Sequence, residues 1–350
     1  MRRLPVFFVI DCSESMAGQP LQAVQEGIDF IMSGLRTDPY ALETVYVSVL
    51  AYAGIVRTLV PLTELFAYRS CELPLGGGTH LGKALDHLAK EIERSVMKTT
   101  ADVKGDWKPI VYLFTDGRPT DDYEDAISRW KAKYENKVTL VAIGLGQDVD
   151  FSVLKRLTTH CISLTQIDHD YVKSLCKWIS ASVVSQSISV GNNQKQQDLL
   201  PLDERYMHLA KEKLSFRKGQ ADDRTVTFIG RCQKLHHPYI LKYTRHLQYG
   251  ELSDLNINLY NFKLQTCTGI SEDYFSWTDH AAEKPKINTS VLEGSSNCPH
   301  CYAETAFAMC ACGNLMCYDG YSEFSVCPWC LRQISFSASG EDFNLTRGQG

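Results

Sequence analysis

Two sets of residues in this chain have types and spacing that could do chemistry. The first is built from oxygen. The apolar run "PVFFVID" ends in Asp11, and "DCSES" at 11–15 follows it with Ser13 and Ser15 at alternate positions. "GGGTHLG" at 76–82 brings Thr79 behind three glycines, and "FTDGRPTDD" at 114–122 brings Asp116. Asp11, Ser13, Ser15, Thr79 and Asp116 are hard oxygen donors with no thiol or imidazole among them, a set that suits Mg²⁺ or Mn²⁺. Mg²⁺ keeps several waters, which leaves a coordination position for a partner. The Asp-x-Ser-x-Ser spacing puts alternate side chains on one side of a strand-exit loop, and the glycines before Thr79 let a second loop come close. A lone Asp-x-Ser-x-Ser is common as a helix cap; Thr79 and Asp116, in order on later elements, set this one apart. Two carboxylates at a solvent-facing crevice repel each other without a cation, so their removal is expected to cost the fold little. His80, Arg118 and Asp121 would rim the site and tune its selectivity, although exposed charges more often only solvate a surface. Cys12 reads as a small buried thiol.

The second set is built from sulfur. Of thirteen cysteines, Cys298, Cys301, Cys310, Cys312, Cys317, Cys327 and Cys330 crowd one segment, while Cys12, Cys71, Cys161, Cys176, Cys232 and Cys267 are scattered. "CPHC" at 298–301 and "CPWC" at 327–330 are knuckles that present two thiolates each, and "CACGNLMC" lies between them. That density indicates one or two Zn²⁺. Joining the two knuckles gives one zinc-ribbon-like site. Cys310, Cys312 and Cys317 then remain for a second site completed by His300 or His280, or all seven are shared in a cross-braced arrangement that lacks an evident eighth ligand. Spacing alone leaves these pairings open. Thiol–disulfide exchange is the lesser reading, because "CPHC" follows "EGSSN" rather than opening a helix in a βαβ unit.

The elements that must carry the oxygen set are legible as a pattern. Apolar, β-rich runs at 6–10, 44–50, 55–62, 109–115, 138–145 and 161–165 alternate with amphipathic segments whose apolar faces hold Leu21, Val24, Ile28, Ile31, Met32 and Leu35, then Leu81, Leu85, Leu88 and Ile92, then Val172, Leu175, Cys176, Ile179 and Val183. This predicts an α/β fold with a mostly parallel sheet, helices on both faces and a ligand crevice at the carboxyl ends of the strands, where Asp11 and Asp116 stand. "YAG" at 52–54 predicts a turn that makes 55–62 an antiparallel edge strand. "GGTHLGKA" at 77–84 nearly fits a phosphate-binding loop but puts Ala84 where a Mg²⁺-binding hydroxyl is needed, which argues against nucleotide hydrolysis.

The composition, with 44% apolar residues and a net charge of −5 in 350 residues, fits a globular chain with a larger α/β domain and smaller additions, and excludes a generally basic nucleic-acid binder. Residues 298–330 contain no Lys or Arg. Asp11 interrupts the first apolar run before a signal core forms, and no run approaches the roughly 18 apolar residues of a membrane span, so the expectation is a cytoplasmic protein that does not engage membranes. Residues 186–224 read as a linker, because the stretch 185–205 loses periodicity and fills with Gln and Asn. Short strands at 225–229, 239–243 and 256–264 open a β-rich and Cys-rich unit over 225–345.

Asp11, Ser13, Ser15, Thr79 and Asp116 together resemble the metal-ion-dependent adhesion site of von Willebrand factor A (vWA) domains, over residues 1–185. The resemblance implies a Rossmann-like, six-stranded sheet, bound Mg²⁺, and recognition of a partner's acidic group that completes the metal's coordination. With the knuckled C-terminus, the order of parts is similar to the TerY family, A-domain proteins of bacterial tellurium-resistance and stress-response systems. That resemblance implies a non-enzymatic scaffold acting with a protein kinase and a PP2C-type phosphatase. The alternatives from other classes are a zinc-ribbon nucleic-acid binder, for which the missing Lys and Arg count against phosphate affinity, and an adaptor for ubiquitin-like conjugation.

Overall fold

The computed structural model describes residues 2–146, 149–191, 199–203, 207–209, 224–247, 260–281, 285–335 and 342–348. By packing, the chain divides into two compact units. One comprises Met1–Cys12, Gln19–Leu73 and Thr79–Gly219; the other comprises Ser13–Gly18, Pro74–Gly78 and Gln220–Gly350.

In the first unit, strands β1 (Leu4–Asp11), β2 (Val45–Tyr52), β3 (Val56–Glu64), β4 (Ile110–Thr115), β5 (Thr139–Leu145) and β6 (His160–Leu164) form the sheet in the order β3-β2-β1-β4-β5-β6. All neighbours are parallel except β3, which returns antiparallel to β2 as the edge. A seventh, two-residue strand β7 (His208–Leu209) adds antiparallel to β6. The central strands β1, β4 and β5 are apolar nearly along their whole length because both faces are covered. Phe7 and Val9 point into one core with Val111, Leu113, Leu140 and Ala142. Val6, Phe8 and Ile10 alternate to the other face and are equally buried.

Helix α3 (Leu81–Ser95) contributes Leu81, Leu85, Leu88 and Ile92 to the first core, as its sequence pattern predicts. Helices α4 (Glu124–Tyr134) and α5 (Phe151–Leu157) join it through Ile127, Trp130, Leu154 and Leu157. Helix α1 (Gln19–Leu35) buries Val24, Ile28, Ile31, Met32 and Leu35. It packs against α6 (His169–Gly191) so closely that a Cβ at Gly27 would stand 3.0 Å from the Cys176 sulfur. A short helix α2 (Pro39–Thr44) is capped by Asp38, which accepts from the Ala41 amide.

The helix α6 continues to Gly191, past the residue where a linker was expected. Its polar C-terminal residues Gln186, Ser187 and Ser189 are buried there, and the helix itself satisfies the serine hydroxyls, Ser187 Oγ donating to the Val184 carbonyl at 2.8 Å and Ser189 Oγ to that of Ser185 at 3.2 Å. Residues 192–198, 204–206 and 210–223 of the expected linker lie outside the described residues.

The second unit is built on strands β8 (Thr225–Arg231), β9 (Pro238–Leu247), β10 (Tyr260–Gly269), β12 (Leu292–Glu293), β13 (Thr305–Met309) and β14 (Leu315–Tyr318), in the sheet order β12-β10-β9-β8-β14-β13. Of the strand expected at 256–264, residues 260–264 lie in β10 and residues 256–259 lie outside the described residues. Strand β11 (Lys286–Asn288) pairs with β17 (Asn344–Thr346), and β15 (Phe324–Val326) pairs with β16 (Gln333–Ser335). A single turn of helix, α7 (Tyr274–Trp277), follows β10. The segments 13–18 and 74–78 belong to this unit by contact: Lys242, on β9, donates through Nζ to the carbonyls of Ser15 at 2.5 Å and Ala17 at 3.2 Å, and the Gly77 amide donates to Thr278 Oγ1 at 2.9 Å.

Tyr239, on β9, is fully buried, and its hydroxyl donates to the Ala306 carbonyl on β13 at 2.6 Å, so it ties strands that are not adjacent in the sheet. Tyr239→Phe strands that carbonyl in the core. It is expected to destabilise the metal-loaded protein by about 1–3 kcal/mol, read as a lower melting temperature of the second unit's transition.

Candidate metal centres

The topology of the parallel sheet fixes the first site. The chain runs from β1 outward to β2 and β3, then crosses to β4 on the other side of β1, so the strand order reverses between β1 and β4. Such a switch point opens a crevice beyond the carboxyl ends of the two strands. Asp11 is the last residue of β1, and Asp116 directly follows β4. Thr79, just before α3, is tied to the loop after β4 by two hydrogen bonds: its amide donates to Thr120 Oγ1 at 2.9 Å, and its carbonyl accepts from the Thr120 amide at 2.8 Å. Ser13 and Ser15 follow Asp11 in the chain, with their hydroxyls 3.0 Å apart.

The surroundings of the two acids differ. Asp11 is fully buried and accepts from Thr115 Oγ1 at 2.7 Å and from the Tyr52 hydroxyl at 3.4 Å. Burial, then the Asp11 charge, pushes the Tyr52 phenol well up, so it serves as a neutral donor. Asp116 is half-buried; its Oδ1 accepts from the Arg118 amide at 3.3 Å, and its carbonyl accepts from the Asp150 amide at 3.1 Å. Gly117 takes φ +82° there, and a Cβ would run into the Asp150 carbonyl, so the turn of "TDG" requires glycine.

Two expectations about this site change. The solvent-facing crevice expected for both acids holds for Asp116 and fails for Asp11, which its hydrogen bonds place inside the sheet end. The rim role expected for His80 and Asp121 also changes. His80 is only 4% exposed. Asp121 caps α3, accepting from the Gly82 amide at 3.2 Å and the Lys83 amide at 3.0 Å. Burial holds its carboxyl above the usual range against those two bonds. Cys12 is buried, and burial pushes its thiol well up, as a small core residue requires.

The sulfur set resolves into two groups of four. Cys232, Cys298, Cys301 and Cys317 form one, and Cys310, Cys312, Cys327 and Cys330 the other; within each, the sulfurs lie within 4.8 Å of one another. Three turns repeat one geometry. The amides of His236, Tyr302 and Leu331 donate to the carbonyls of Cys232, Cys298 and Cys327 at 2.8, 2.9 and 2.9 Å. Those same three residues have positive φ, at 60°, 59° and 60°. Amides also aim at sulfur: Leu235 to Cys232 at 3.4 Å, Trp329 to Cys327 at 3.4 Å and Cys312 to Cys310 at 3.5 Å. Soft thiolates converging in fours, with donors stabilising their charge, fit a tetrahedral Zn²⁺.

This grouping decides among the pairings that spacing left open, and the two knuckles do not share one site. Each knuckle instead anchors its own group, and neither His300 nor His280 is a ligand. His300 Nε2 is hydrogen-bonded to the Pro238 carbonyl at 2.9 Å, and His280 Nε2 to that of Phe275 at 2.8 Å. Strand β14 explains the division. Its side chains alternate, with Leu315 and Cys317 facing the main core of the unit and Met316 facing a smaller cluster around Cys310 and Cys327.

The eighth ligand, Cys232, was not evident in the sequence. Strands β8 and β14 run parallel with Met316 opposite Arg231, so one residue further they reach Cys317 and Cys232 side by side. The signal was a half-knuckle: Cys232 begins a turn like those of Cys298 and Cys327, but Leu235 stands where the second cysteine would be.

Residues 6–168 match the von Willebrand factor type A domain, and residues 222–350 match the TerY-C metal binding domain. The chain joins a vWA domain to a TerY-C metal-binding domain. Among curated relatives, the chain is 28% identical to mouse matrilin-2 over 159 residues (42% of this chain, 15% of that protein) and 29% identical to mouse matrilin-1 over 187 residues (49% of this chain, 34% of that protein). It therefore spans well under two thirds of either. A von Willebrand factor type A protein from Catenulispora acidiphila is similar in structure at a TM-score of 0.41 and 19% identity, covering 52% of this chain and 43% of that one.

In the TerY-C domain, burial pushes the Cys298 thiol up to about 11 and the Cys310 thiol up to about 12. Without a cation these thiols keep their protons, so metal binding displaces protons and weakens as pH falls. Acid titration of the metal-loaded protein is expected to release metal, read with a colorimetric chelator. Cys232→Ser removes one ligand of the first group, and elemental analysis is expected to find one Zn²⁺ per chain against two for the wild type, with the vWA transition preserved. Two metals retained in that variant would show that Cys232 is not a ligand.

Proposed function

We propose that the chain is a non-enzymatic, metal-dependent protein-binding scaffold. In this reading Asp11, Ser13, Ser15, Thr79 and Asp116 hold Mg²⁺, or Mn²⁺ in its place, and an acidic group of a protein partner completes the coordination. The TerY-C domain holds two Zn²⁺ that maintain its fold. The observation that carries the reading is the placement of Asp11 and Asp116 at the carboxyl ends of adjacent strands at the switch point, with Thr79 fastened to the loop between β4 and α4. Hydroxyl and carboxylate oxygens match the hard, six-coordinate demand of Mg²⁺.

The resemblance to the TerY family supports a finer reading, in which the partners are a protein kinase and a PP2C-type phosphatase of a cytoplasmic tellurium-resistance or stress-response system. Among the described residues no helix is long and apolar enough to cross a membrane. The interleaving of the two cysteine groups along the chain favours one second reading, an adaptor for ubiquitin-like conjugation, because Cys232 supplies the eighth ligand that a cross-braced module needs.

Asp116 is the residue to test, because it is half-buried and its loss spares the interior. Asp116→Ala is expected to abolish Mg²⁺ binding in calorimetry and Mg²⁺-dependent co-purification of a kinase or phosphatase from native cells. Its melting temperature without Mg²⁺ should stay close to that of the wild type. EDTA should reproduce the loss, and Ca²⁺ should restore capture poorly because its longer bonds suit the site less well. Equal capture by the variant in EDTA would refute the reading.

A further inference from the structure

The two cysteine groups are not equivalent in their surroundings. Cys232, Cys298 and Cys317 are buried and Cys301 is half-buried. The three buried sulfurs belong to the main core of the TerY-C domain, packed with Phe228, Tyr239, Leu241 and Tyr243. The second group lies on the far side of β14, where, among the described residues, Cys310, Met316 and Cys327 form a small buried centre. Beyond it stands the short β15–β16 pair, three residues to a strand. Cys312 is the one ligand of the eight that is exposed, and its sulfur lies 3.8 Å from that of Cys327. An exposed thiolate in contact with a second one is open to oxidants from solvent, whereas a buried ligand is shielded by its core.

We infer that the group Cys310, Cys312, Cys327 and Cys330 is an oxidant-sensitive metal site, at which a peroxide joins Cys312 to Cys327 and expels the metal while the other group keeps its own. The inference rests on the reading of both groups as metal centres. In the first step the Cys312 thiolate attacks one oxygen of hydrogen peroxide and the O–O bond breaks, giving a sulfenic acid and a hydroxide that takes up a proton. In the second step the Cys327 thiolate attacks the Cys312 sulfur. The S–S bond forms, the S–O bond breaks, and hydroxide leaves as water with a second proton. Two thiolates, one hydrogen peroxide and two protons thus become one disulfide and two waters, with two electrons passing from sulfur to peroxide. Cys310 and Cys330 alone cannot hold the ion tetrahedrally, so it is released.

The consequence for the fold is local. The β15–β16 pair and the 327–330 turn lose their staple, while the six-stranded sheet keeps the metal of its main core. Trp329 reports the change, because its ring lies under the Arg231 guanidinium at 4.7 Å and its Nε1 donates to the Leu315 carbonyl at 2.7 Å.

The test uses the full chain, reduced and metal-loaded without oxygen. Metal content is measured first, and a chain with no thiol-bound metal overturns the metal reading and this inference with it. Hydrogen peroxide is then added in increments. Released metal is followed with a colorimetric chelator, and disulfides are mapped by peptide mass spectrometry after alkylation of the remaining thiols. The expected result is loss of one metal of the two, a Cys312–Cys327 disulfide, and recovery on adding a thiol reductant with Zn²⁺. Cys312→His, which keeps a ligand nitrogen and removes the oxidisable sulfur, should slow that release by about tenfold or more. Simultaneous loss of both metals, a first disulfide among Cys232, Cys298, Cys301 and Cys317, or no release while thiols elsewhere oxidise would each overturn the inference. If Cys312→His does not load a second metal, the disulfide map of the wild type decides alone.

Discussion

Four thiolates cannot rest within 4.8 Å of one another unless a cation neutralises their charge, and that constraint shapes the TerY-C domain. Left as thiols, buried sulfurs hold their protons and crowd one another; as thiolates they need a cation. The domain meets this twice, with turns that repeat a left-handed residue and aim amides at sulfur. The strands around the cysteines, β13 to β16, are three to five residues long, so the turns fasten what packing alone would hold weakly. Strand β14 stands between the two groups and serves both, through the alternation of Leu315 and Cys317 with Met316.

The vWA domain solves a different problem. Its parallel strands are buried on both faces, so their interiors admit little besides apolar side chains. Polar groups gather where the strands end, and the switch point between β1 and β4 leaves room for them. The loops there hold one another through backbone and side-chain bonds, such as the two between Thr79 and Thr120 and the cap that Asp121 places on α3. Residues that look like freely exposed charges therefore hold the site together. Asp11 differs from Asp116 for the same reason: it is the last residue of the buried strand β1, and its partners Thr115 and Tyr52 come from the flanking strands β4 and β2.

The two kinds of centre separate by donor chemistry. Hard oxygens gather at the carboxyl ends of the central strands β1 and β4, where, in the proposed reading, an ion would keep water and accept a partner's group. Soft sulfurs close around their ion and leave no position open, which suits a role in holding structure. Within the sulfur centres, exposure divides them again, because Cys312, outside the main core, is exposed while every ligand of the other group is buried or half-buried.

Much of this was already determined by the sequence alone. The alternation of apolar strands with amphipathic helices specified the α/β sheet and its antiparallel edge strand. The order of Asp11, Ser13, Ser15, Thr79 and Asp116 along it specified the oxygen set, because local spacing and chain order are sequence properties. The knuckles at 298–301 and 327–330 specified a metal-binding end in the same way. The grouping of the thiols is a matter of strand register and side-chain direction. Only the parallel pairing of β8 with β14 brings Cys232 beside Cys317. Only the two faces of β14 decide that Cys317 joins one knuckle while Cys310 and Cys312 join the other. The burial of Asp11 and the capping role of Asp121 were likewise decided by tertiary structure, since each depends on partners contributed by elements distant in the chain.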